Sequence, residues 1–161
     1  MIQSPDFFPV VLYPGDQSQN ISKGLFPEFG SNNKTLLVFL LDGTWAQAKK
    51  MMRLSSNLHD LPRISLNPSH GSRFYIKTQP HAKSVSTIEA VYYTLEALKG
   101  MGLEDQNQSF QGLMDVLKIL CGIQEKYAQD PKIQGYRKKS FQTPPKRVSP
   151  VRSRRRSFFH K

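Results

Sequence analysis

The chain has 161 residues, with 23 lysines and arginines against 12 acidic residues and a formal net charge of +11. This length allows one domain with a modest core. A single cysteine excludes both a disulfide-stapled secreted scaffold and a zinc site made of several cysteines within the chain. No apolar run approaches the roughly 18 residues that span a bilayer. We therefore expect a protein of a reducing compartment, without a membrane segment.

The charge is divided unevenly along the chain. Residues 1–130 contain all 12 acidic residues and 12 basic ones, so this part is neutral. Residues 131–161 contain the other 11 basic residues and no acidic one. Low hydrophobicity with dense like charge is typical of disordered segments. The sequence therefore predicts a domain at 1–130 and a disordered basic tail at 131–161.

The first half of the chain contains a strand followed immediately by a helix. A short strand is predicted within Pro9–Pro14, and an apolar run follows at Leu36–Leu41. The run has strand length and is apolar on both faces, which favours a central, buried parallel strand covered by helices. A helix is predicted over Trp45–Leu58. The polar segment Asp42–Thr44 then lies at the carboxyl end of the strand, where open α/β sheets place their ligand crevices.

The sequence of the second half of the chain predicts two strands and two helices. Ile64–Leu66 is a weak strand candidate and Phe74–Lys77 a better one, since apolar and polar residues alternate there. Ser86 and Glu89 have capping-box spacing at the start of a helix that Gly100 or Gly102 can end. A last helix is predicted over Ser109–Gln129, and its expected buried residues are Leu113, Val116, Leu117, Leu120, Ile123 and Tyr127.

The motif after the apolar run permits a purely structural interpretation. Asp42 or Thr44 can cap the following helix, and Thr44 with Gln47 has capping-box spacing. Gly43 can serve the turn, and Trp45 can anchor the core. Spacing alone favours this interpretation over a catalytic one.

Two separated blocks of the sequence resemble the signature of the DTW-domain family. The first is D-G-T-W-x-x-A-x-x-M at Asp42–Met51, directly after the apolar strand. The second begins at Ser72-Arg73-Phe74-Tyr75-Ile76-Lys77 with Gln79-Pro80 and continues at Ser86-Thr87-Ile88-Glu89-Ala90. Leu61-Pro62-Arg63 between them also fits. The resemblance covers about Pro5 to Leu120 and is most similar to the eukaryotic tRNA-uridine aminocarboxypropyltransferases.

The resemblance implies a fold, an activity and a cofactor. The fold is α/β, a SPOUT-related parallel sheet flanked by helices. The activity is transfer of the 3-amino-3-carboxypropyl group of S-adenosyl-L-methionine to a uridine in tRNA. The family domain normally begins upstream, with a Cys-rich segment that binds metal and a further block resembling H-P-x-E. This chain has neither, so it is interpreted as a C-terminal portion of such a domain, incomplete at its N-terminus and without a metal site.

The transfer chemistry assigns candidate roles to the residues of both blocks. A uridine nitrogen attacks carbon beside a sulfonium, and the leaving thioether is neutral, so the reaction needs orientation and a base near the uridine N–H. Asp42 is the candidate base. Thr44 and Trp45 are expected to shape the cofactor pocket, although core packing is equally open for Trp45. Ser86 and Thr87 are expected to contact the cofactor carboxylate at the helix N-terminus. Glu89 is a candidate for the same site, but capping is favoured over direct contact.

Two regions are candidates for RNA contact. Arg73, Tyr75 and Lys77 on one strand face can meet phosphates and stack on a base, or form an ordinary solvated face. In the tail, Arg154, Arg155 and Arg156 can hold tRNA through counterion release, or serve as a nuclear import signal. We therefore expect a nuclear and cytoplasmic protein with tRNA as its partner. The alternative function is a truncated, non-catalytic RNA-binding or regulatory fragment of such an enzyme.

Overall fold

The computed structural model describes residues 4–26, 29, 34–68, 70–76 and 84–130. Within these ranges the chain forms four strands, three α-helices and two short 3₁₀ turns. The strands are β1 (Phe7–Leu12), β2 (Gln19–Asn20), β3 (Thr35–Leu40) and β4 (Arg63–Ser65); the helices are α1 (Trp45–Leu54), α2 (Thr87–Gly100) and α3 (Gln111–Gln129); the 3₁₀ turns are Ile21–Lys23 and Ser56–Leu58.

The strands form one parallel sheet in the order β2-β4-β1-β3. β1 pairs with β3 along its whole length, from Phe7 opposite Thr35 to Leu12 opposite Leu40. The prediction of a parallel strand at the apolar run is confirmed, but its central position is wrong. β3 is an edge strand of the described sheet, and most of its residues are only half-buried. The first strand of the chain, β1, holds an inner position instead.

Alternation along the strands gives the sheet a core on each face. On one face, Val10 of β1 and Ile64 of β4 pack with Ile21 and with Leu98 of α2. On the other face, Val11 packs with Met52 of α1 and with Leu58 and Leu61 after it. β3 follows the same alternation, because Leu36 and Val38 contact the first cluster and Phe39 contacts the second. Helices therefore flank the parallel sheet on both sides, which confirms the predicted α/β architecture.

A third cluster joins α2 to α3. Met114, Leu117 and Cys121 of α3 are buried with Ile76, and Ile88 and Tyr92 of α2 pack against them. The predicted buried face of α3 is therefore mostly wrong: Leu117 is buried and Leu113 half-buried, but the other four predicted residues, Val116, Leu120, Ile123 and Tyr127, are exposed. Among the described residues, α3 packs on α2 through this one face. A second apolar face is exposed, with side chains between 44 and 60% accessible: Val116, Ile119, Leu120, Ile123 and Tyr127.

α2 is terminated by a turn at Gly102, two residues after its last helical residue, and Gly102 was one of the two glycines predicted to end the helix. The φ of Gly102 is +73°, a left-handed conformation that L-residues rarely adopt. The N–H of Leu103 donates to the carbonyl of Leu98, and the N–H of Gly102 donates to that of Lys99. These two bonds are the Schellman pattern, which satisfies carbonyls that the last helical turn leaves unpaired.

Two further predicted boundaries are wrong. The helix starting at Trp45 ends at Leu54, because Ser55 has ψ of 81°, outside the helical region, and a 3₁₀ turn follows. The described part of the predicted Phe74–Lys77 strand, residues 74–76, is not a strand and ends in a turn at Tyr75 and Ile76. The predicted alternation does hold, because Phe74 and Ile76 lie inward and Arg73 and Tyr75 outward. Lys77 lies outside the described residues. In the described part of the chain, no helix is both long and apolar enough to cross a membrane.

Candidate active site

Asp42 lies two residues beyond the end of β3, with its side chain exposed. The sheet is parallel, so the carboxyl ends of β1, β3 and β4 point to the same edge. The register of β1 and β3 places Leu12 and Leu40 side by side immediately before this edge. A polar residue here is accessible to a ligand while its backbone continues from a fixed strand.

Thr44 begins α1 with a complete capping box. Its hydroxyl accepts from the N–H of Gln47 at 3.3 Å, and the Gln47 amide oxygen accepts from the N–H of Thr44 at 2.8 Å. Gly43 makes this closure possible, because its φ is +148° and a Cβ there would approach Gln47 Cβ at 3.1 Å. The structural interpretation of Thr44 and Gly43 is thus confirmed. Trp45, the first residue of α1, is half-buried.

Asp42 meets the second sequence block at the start of α2. The hydroxyl of Thr87 donates to Oδ1 of Asp42 over 2.7 Å. Thr87 is the first residue of α2, so the carboxylate lies beside a helix N-terminus. This bond joins residues 45 positions apart in the chain and brings together the two motifs that the sequence singled out.

Glu89 is at the centre of a separate, buried hydrogen-bond network. Its side chain is 0% exposed and accepts four hydrogen bonds. The N–H and hydroxyl of Ser86 donate to it at 2.8 and 2.7 Å, which together with the Glu89 N–H to Ser86 Oγ contact completes the predicted capping box. The Ser72 hydroxyl and the Arg73 N–H donate at 2.6 Å each.

These donors determine the charge state of Glu89. Burial by itself raises the pKa of the carboxyl, but the hydrogen bonds from Ser72, Ser86 and the Arg73 backbone outweigh it. The net pKa of Glu89 therefore lies below its ordinary value, and the group is an anion at neutral pH. With its oxygens occupied by four protein donors, this carboxylate fixes the Ser72–Arg73 segment to the start of α2. The Arg73 N–H donates to Glu89 and the Phe74 N–H donates to Ser72, so neither group is available to pair with a neighbouring strand.

The segment anchored by Glu89 also contacts α3. The Tyr75 hydroxyl donates to Glu125 over 3.1 Å, while the residue as a whole remains 60% exposed. Desolvation of the hydroxyl and then the bond to Glu125 raise the pKa of Tyr75 above its ordinary value. The ring is thus held at one end and accessible over its surface, and Arg73 beside it is exposed.

The structure brings together one part of the predicted site and leaves another untested. Asp42, Ser86, Thr87 and Glu89 converge on the start of α2, with Thr44 and Trp45 next to Asp42 in the chain. Their catalytic and binding roles stay predictions. Lys77, Arg154, Arg155 and Arg156 lie outside the described residues.

Two hydrogen bonds of this region were not predicted from the sequence. Ser72 is a partner of Glu89, and its place at the head of the second block was the available signal. Glu125 is the partner of Tyr75, and no local pattern indicated it, since 50 residues separate them. Among the described residues, no group of His, Cys, Asp and Glu side chains is arranged to hold a metal ion.

Comparison with known proteins identifies the family. The DTW domain matches residues 1–125, more than three quarters of the chain. The chain belongs to the DTW domain family. Both motifs joined by the Asp42–Thr87 bond lie inside the matched range.

Curated relatives carry the name tRNA-uridine aminocarboxypropyltransferase 2. The protein of Mus musculus is 31% identical over 118 residues, that of Drosophila melanogaster 33% over 115, and that of Macaca fascicularis 28% over 117. Each match covers 71% of this chain, but only 36% of the mouse and macaque proteins and 42% of the fly protein. The chain therefore spans well under half the length of these relatives. No solved structure matches it significantly.

Proposed function

We propose that this DTW domain takes part in transferring the 3-amino-3-carboxypropyl group of S-adenosyl-L-methionine to a uridine in tRNA. The observation that supports the proposal is the Thr87–Asp42 hydrogen bond. It places an exposed carboxylate, a hydroxyl and a helix N-terminus within one small region at the carboxyl edge of a parallel sheet. The names of the relatives supply the reaction, and the geometry supplies residues suited to it.

In this proposal Asp42 accepts the proton of the uridine nitrogen. The new bond joins that nitrogen to the carbon beside the sulfonium, the carbon–sulfur bond breaks, and its electron pair goes to sulfur. The leaving group is a neutral thioether, so no acid is required. Thr87 orients Asp42 by donating to Oδ1, which leaves Oδ2 to face the uridine N–H.

The start of α2 suits the anionic carboxylate of the cofactor. Within the described part of the chain, the N–H groups of Thr87 and Ile88 in the first turn donate to no protein acceptor. Such groups, with the helix dipole, favour an anion. The bound cofactor supplies an electrophilic carbon attached to a positively charged sulfur. Trp45, half-buried and three residues after Asp42 in the chain, offers an aromatic ring for that charge. Glu89 is a positioning residue here, because its oxygens are already committed.

The direct test is incubation of the complete 161-residue chain with unmodified tRNA and S-adenosyl-L-methionine, followed by nucleoside mass spectrometry. We expect aminocarboxypropyl-uridine to appear, and calorimetry to show binding of the cofactor. Absence of both the modified nucleoside and the binding isotherm would refute the proposal for this chain.

A second candidate function is RNA binding without catalysis. The coverage of the relatives supports it, since this chain spans 36 to 42% of their length. The exposed Arg73 and Tyr75 and the basic tail are then the functional residues. Binding of tRNA with no detectable cofactor binding is the result that favours this function over transfer.

The proposal also includes the fold class, the role of the basic residues 131–161 and the location of the protein in the cell. The sheet and its helices are proposed to be part of a SPOUT-related fold. Residues 131–161 are proposed to contact tRNA or to serve as a nuclear import signal, with the protein present in nucleus and cytoplasm. Fluorescence microscopy of the tagged chain, with and without residues 131–161, tests the import role.

A further inference from the structure

The exposed apolar face of α3 has the residue spacing of a coiled-coil seam. We define the α3 stripe as Val116, Ile119, Leu120, Ile123 and Tyr127, each between 44 and 60% exposed. Val116, Leu120, Ile123 and Tyr127 follow one another at spacings of four, three and four residues, and the half-buried Leu113 precedes Val116 by three. These are the a and d positions of two heptads. The stripe is distinct from the face that packs on α2, which consists of Met114, Leu117 and Cys121.

A hollow of about 270 Å³ lies at the carboxyl end of this stripe. It is lined by Ile123, Lys126, Tyr127 and Asp130. Residues at i, i+3, i+4 and i+7 of a helix form the hole that receives one side chain of a facing helix in knobs-into-holes packing. The surface thus carries both the knobs and a hole of the kind such knobs occupy.

We propose that the occupant of the stripe is a second copy of this chain, with α3 packed against its counterpart in antiparallel orientation. In this register the a positions of one helix lie opposite the d positions of the other. Leu120 is then level with Ile123 of the partner copy, and Val116 is level with Tyr127 of the partner copy. A small side chain then faces a large one at each end, and Val116 is level with the middle of the hollow. The contact is isologous, so it closes as a two-fold dimer.

The charges beside the stripe select the antiparallel orientation. Asp115 lies near the amino end of α3 and Lys126 near its carboxyl end, and helical spacing places both on the same flank of the stripe. Antiparallel packing brings each aspartate to a lysine of the other copy. In a parallel pair the same flank of the two helices lies on opposite sides of the interface, so Asp115 and Lys126 of the two copies would stay apart. The helix dipoles also favour the antiparallel arrangement.

The size of the surface indicates a weak dimer. Specific interfaces bury upwards of about 1,000 Å² in total. Each copy offers only five apolar side chains, each 44 to 60% exposed, which is a small surface by this measure. We therefore expect association at micromolar concentrations, independent of whether the proposed transferase activity is present.

Sedimentation equilibrium on the complete chain tests the proposal, in nuclease-treated samples and moderate salt between about 1 and 200 µM. We expect the mass to rise to that of two chains with increasing concentration. Leu120→Glu should weaken association at least about tenfold, because each dimer would bury two charges. Lys118→Glu, exposed on the far side of α3, is the matched control and should leave it unchanged.

Cross-linking tests the orientation. Chains carrying Val116→Cys are mixed with chains carrying Tyr127→Cys and oxidised mildly, with the parent chain as control for the buried Cys121. The antiparallel register predicts mixed cross-linked dimers and no Val116→Cys homodimers. A parallel pair would separate the two positions by about 16 Å along the axis and give the reverse result. A chain that stays monomeric at 200 µM, or association unaffected by Leu120→Glu, overturns the proposal.

Discussion

A single hydrogen bond, from Thr87 to Asp42, makes the candidate site testable at the level of one atom. Asp42→Asn keeps an acceptor for the Thr87 hydroxyl but removes the ability to take up a proton. We expect the transfer rate to fall by about 10²- to 10⁴-fold, the contribution typical of a general base. Cofactor affinity should stay close to that of the parent chain. Single-turnover assays with mass-spectrometric detection, paired with calorimetry, measure the two effects.

Thr87→Val tests whether Asp42 is oriented by its partner. Loss of one hydrogen bond to a charged group corresponds to roughly a ten- to hundredfold reduction in rate. Thr87→Ser is the control, because it retains the hydroxyl and should restore most of the activity. Equal activity in the valine and serine variants would show that the hydrogen bond contributes nothing to the chemistry.

Glu89 provides a prediction of stability that depends on pH. Its pKa is lowered in the folded chain, so the stabilisation is fully present above the ordinary glutamate pKa. It is lost as the pH falls through the lower, folded value, because protonation then removes the acceptor. Glu89→Gln should lower the free energy of unfolding by about 1–3 kcal/mol at neutral pH, since a neutral amide cannot serve four donors.

Urea titrations between about pH 3 and 7 measure this effect. The stability of the parent chain should decline more steeply below the ordinary glutamate pKa than that of Glu89→Gln. Gln47→Glu, in the exposed capping box of α1, is a control for a change of charge at a helix start. Parallel pH profiles for the parent and Glu89→Gln chains would contradict the assignment.

At the scale of elements, the end of α2 permits a comparison between two neighbouring glycines. Gly102 has φ of +73° and Gly100 is helical, and a Cβ at either position meets no atom within 4 Å. Gly102→Ala should destabilise by about 1 kcal/mol through backbone conformation alone. Gly100→Ala should be neutral or stabilising by up to about 1 kcal/mol. Thermal unfolding of both variants gives the difference, and an equal shift would refute a conformational origin.

Local patterns predicted the elements whose causes are themselves local. Both capping boxes depend on side chains three residues apart, and the Gly102 helix end depends on one backbone angle. The candidate site was predictable to the same extent, because Asp42 and Thr87 each stand at an element boundary. The hydrogen bond between them could not be predicted from the sequence, because it depends on how the sheet and α2 pack together.

The wrong predictions share a non-local cause. The Leu36–Leu41 run is apolar on both faces, as an inner strand would be, yet strand order places it at the edge of the described sheet. Periodicity along α3 predicted one buried face, but the helix carries two apolar faces and packs on α2 through the other. Residues 73–76 alternate as a strand does, but the Arg73 N–H donates to the carboxylate of Glu89 on α2 and the Phe74 N–H donates to Ser72. Each outcome depends on a partner distant in sequence.

For the whole molecule, the division of charge predicts which part of the chain would bind the tRNA of the proposed function. Residues 1–130 are neutral, so affinity for tRNA should depend on residues 131–161. Deleting Arg137–Lys161 removes ten of the eleven basic residues there, leaving Lys132. The slope of log affinity against log salt should flatten by about 0.9 for each lost phosphate contact in duplex regions. We expect much weaker binding, with cofactor binding unchanged.

Filter binding or fluorescence anisotropy across a salt series measures both affinity and slope. A chain of the same length in which the deleted segment is replaced by glycine and serine controls for size. Unchanged affinity and slope would assign RNA contact to Arg73 and Tyr75, and the basic segment would then serve another purpose.

The strand order also has a consequence for how the chain acquires its structure during synthesis. β1 emerges first but lies between β3 and β4, so the sheet cannot be assembled until Ser65 has left the ribosome. The cluster that covers one face joins Val10 to Leu98, so it closes only when α2 is complete. Pairings this distant in sequence slow folding and leave apolar strands uncovered meanwhile. A nascent chain that stops before α2 should therefore leave Val10 and Ile64 uncovered and require a chaperone.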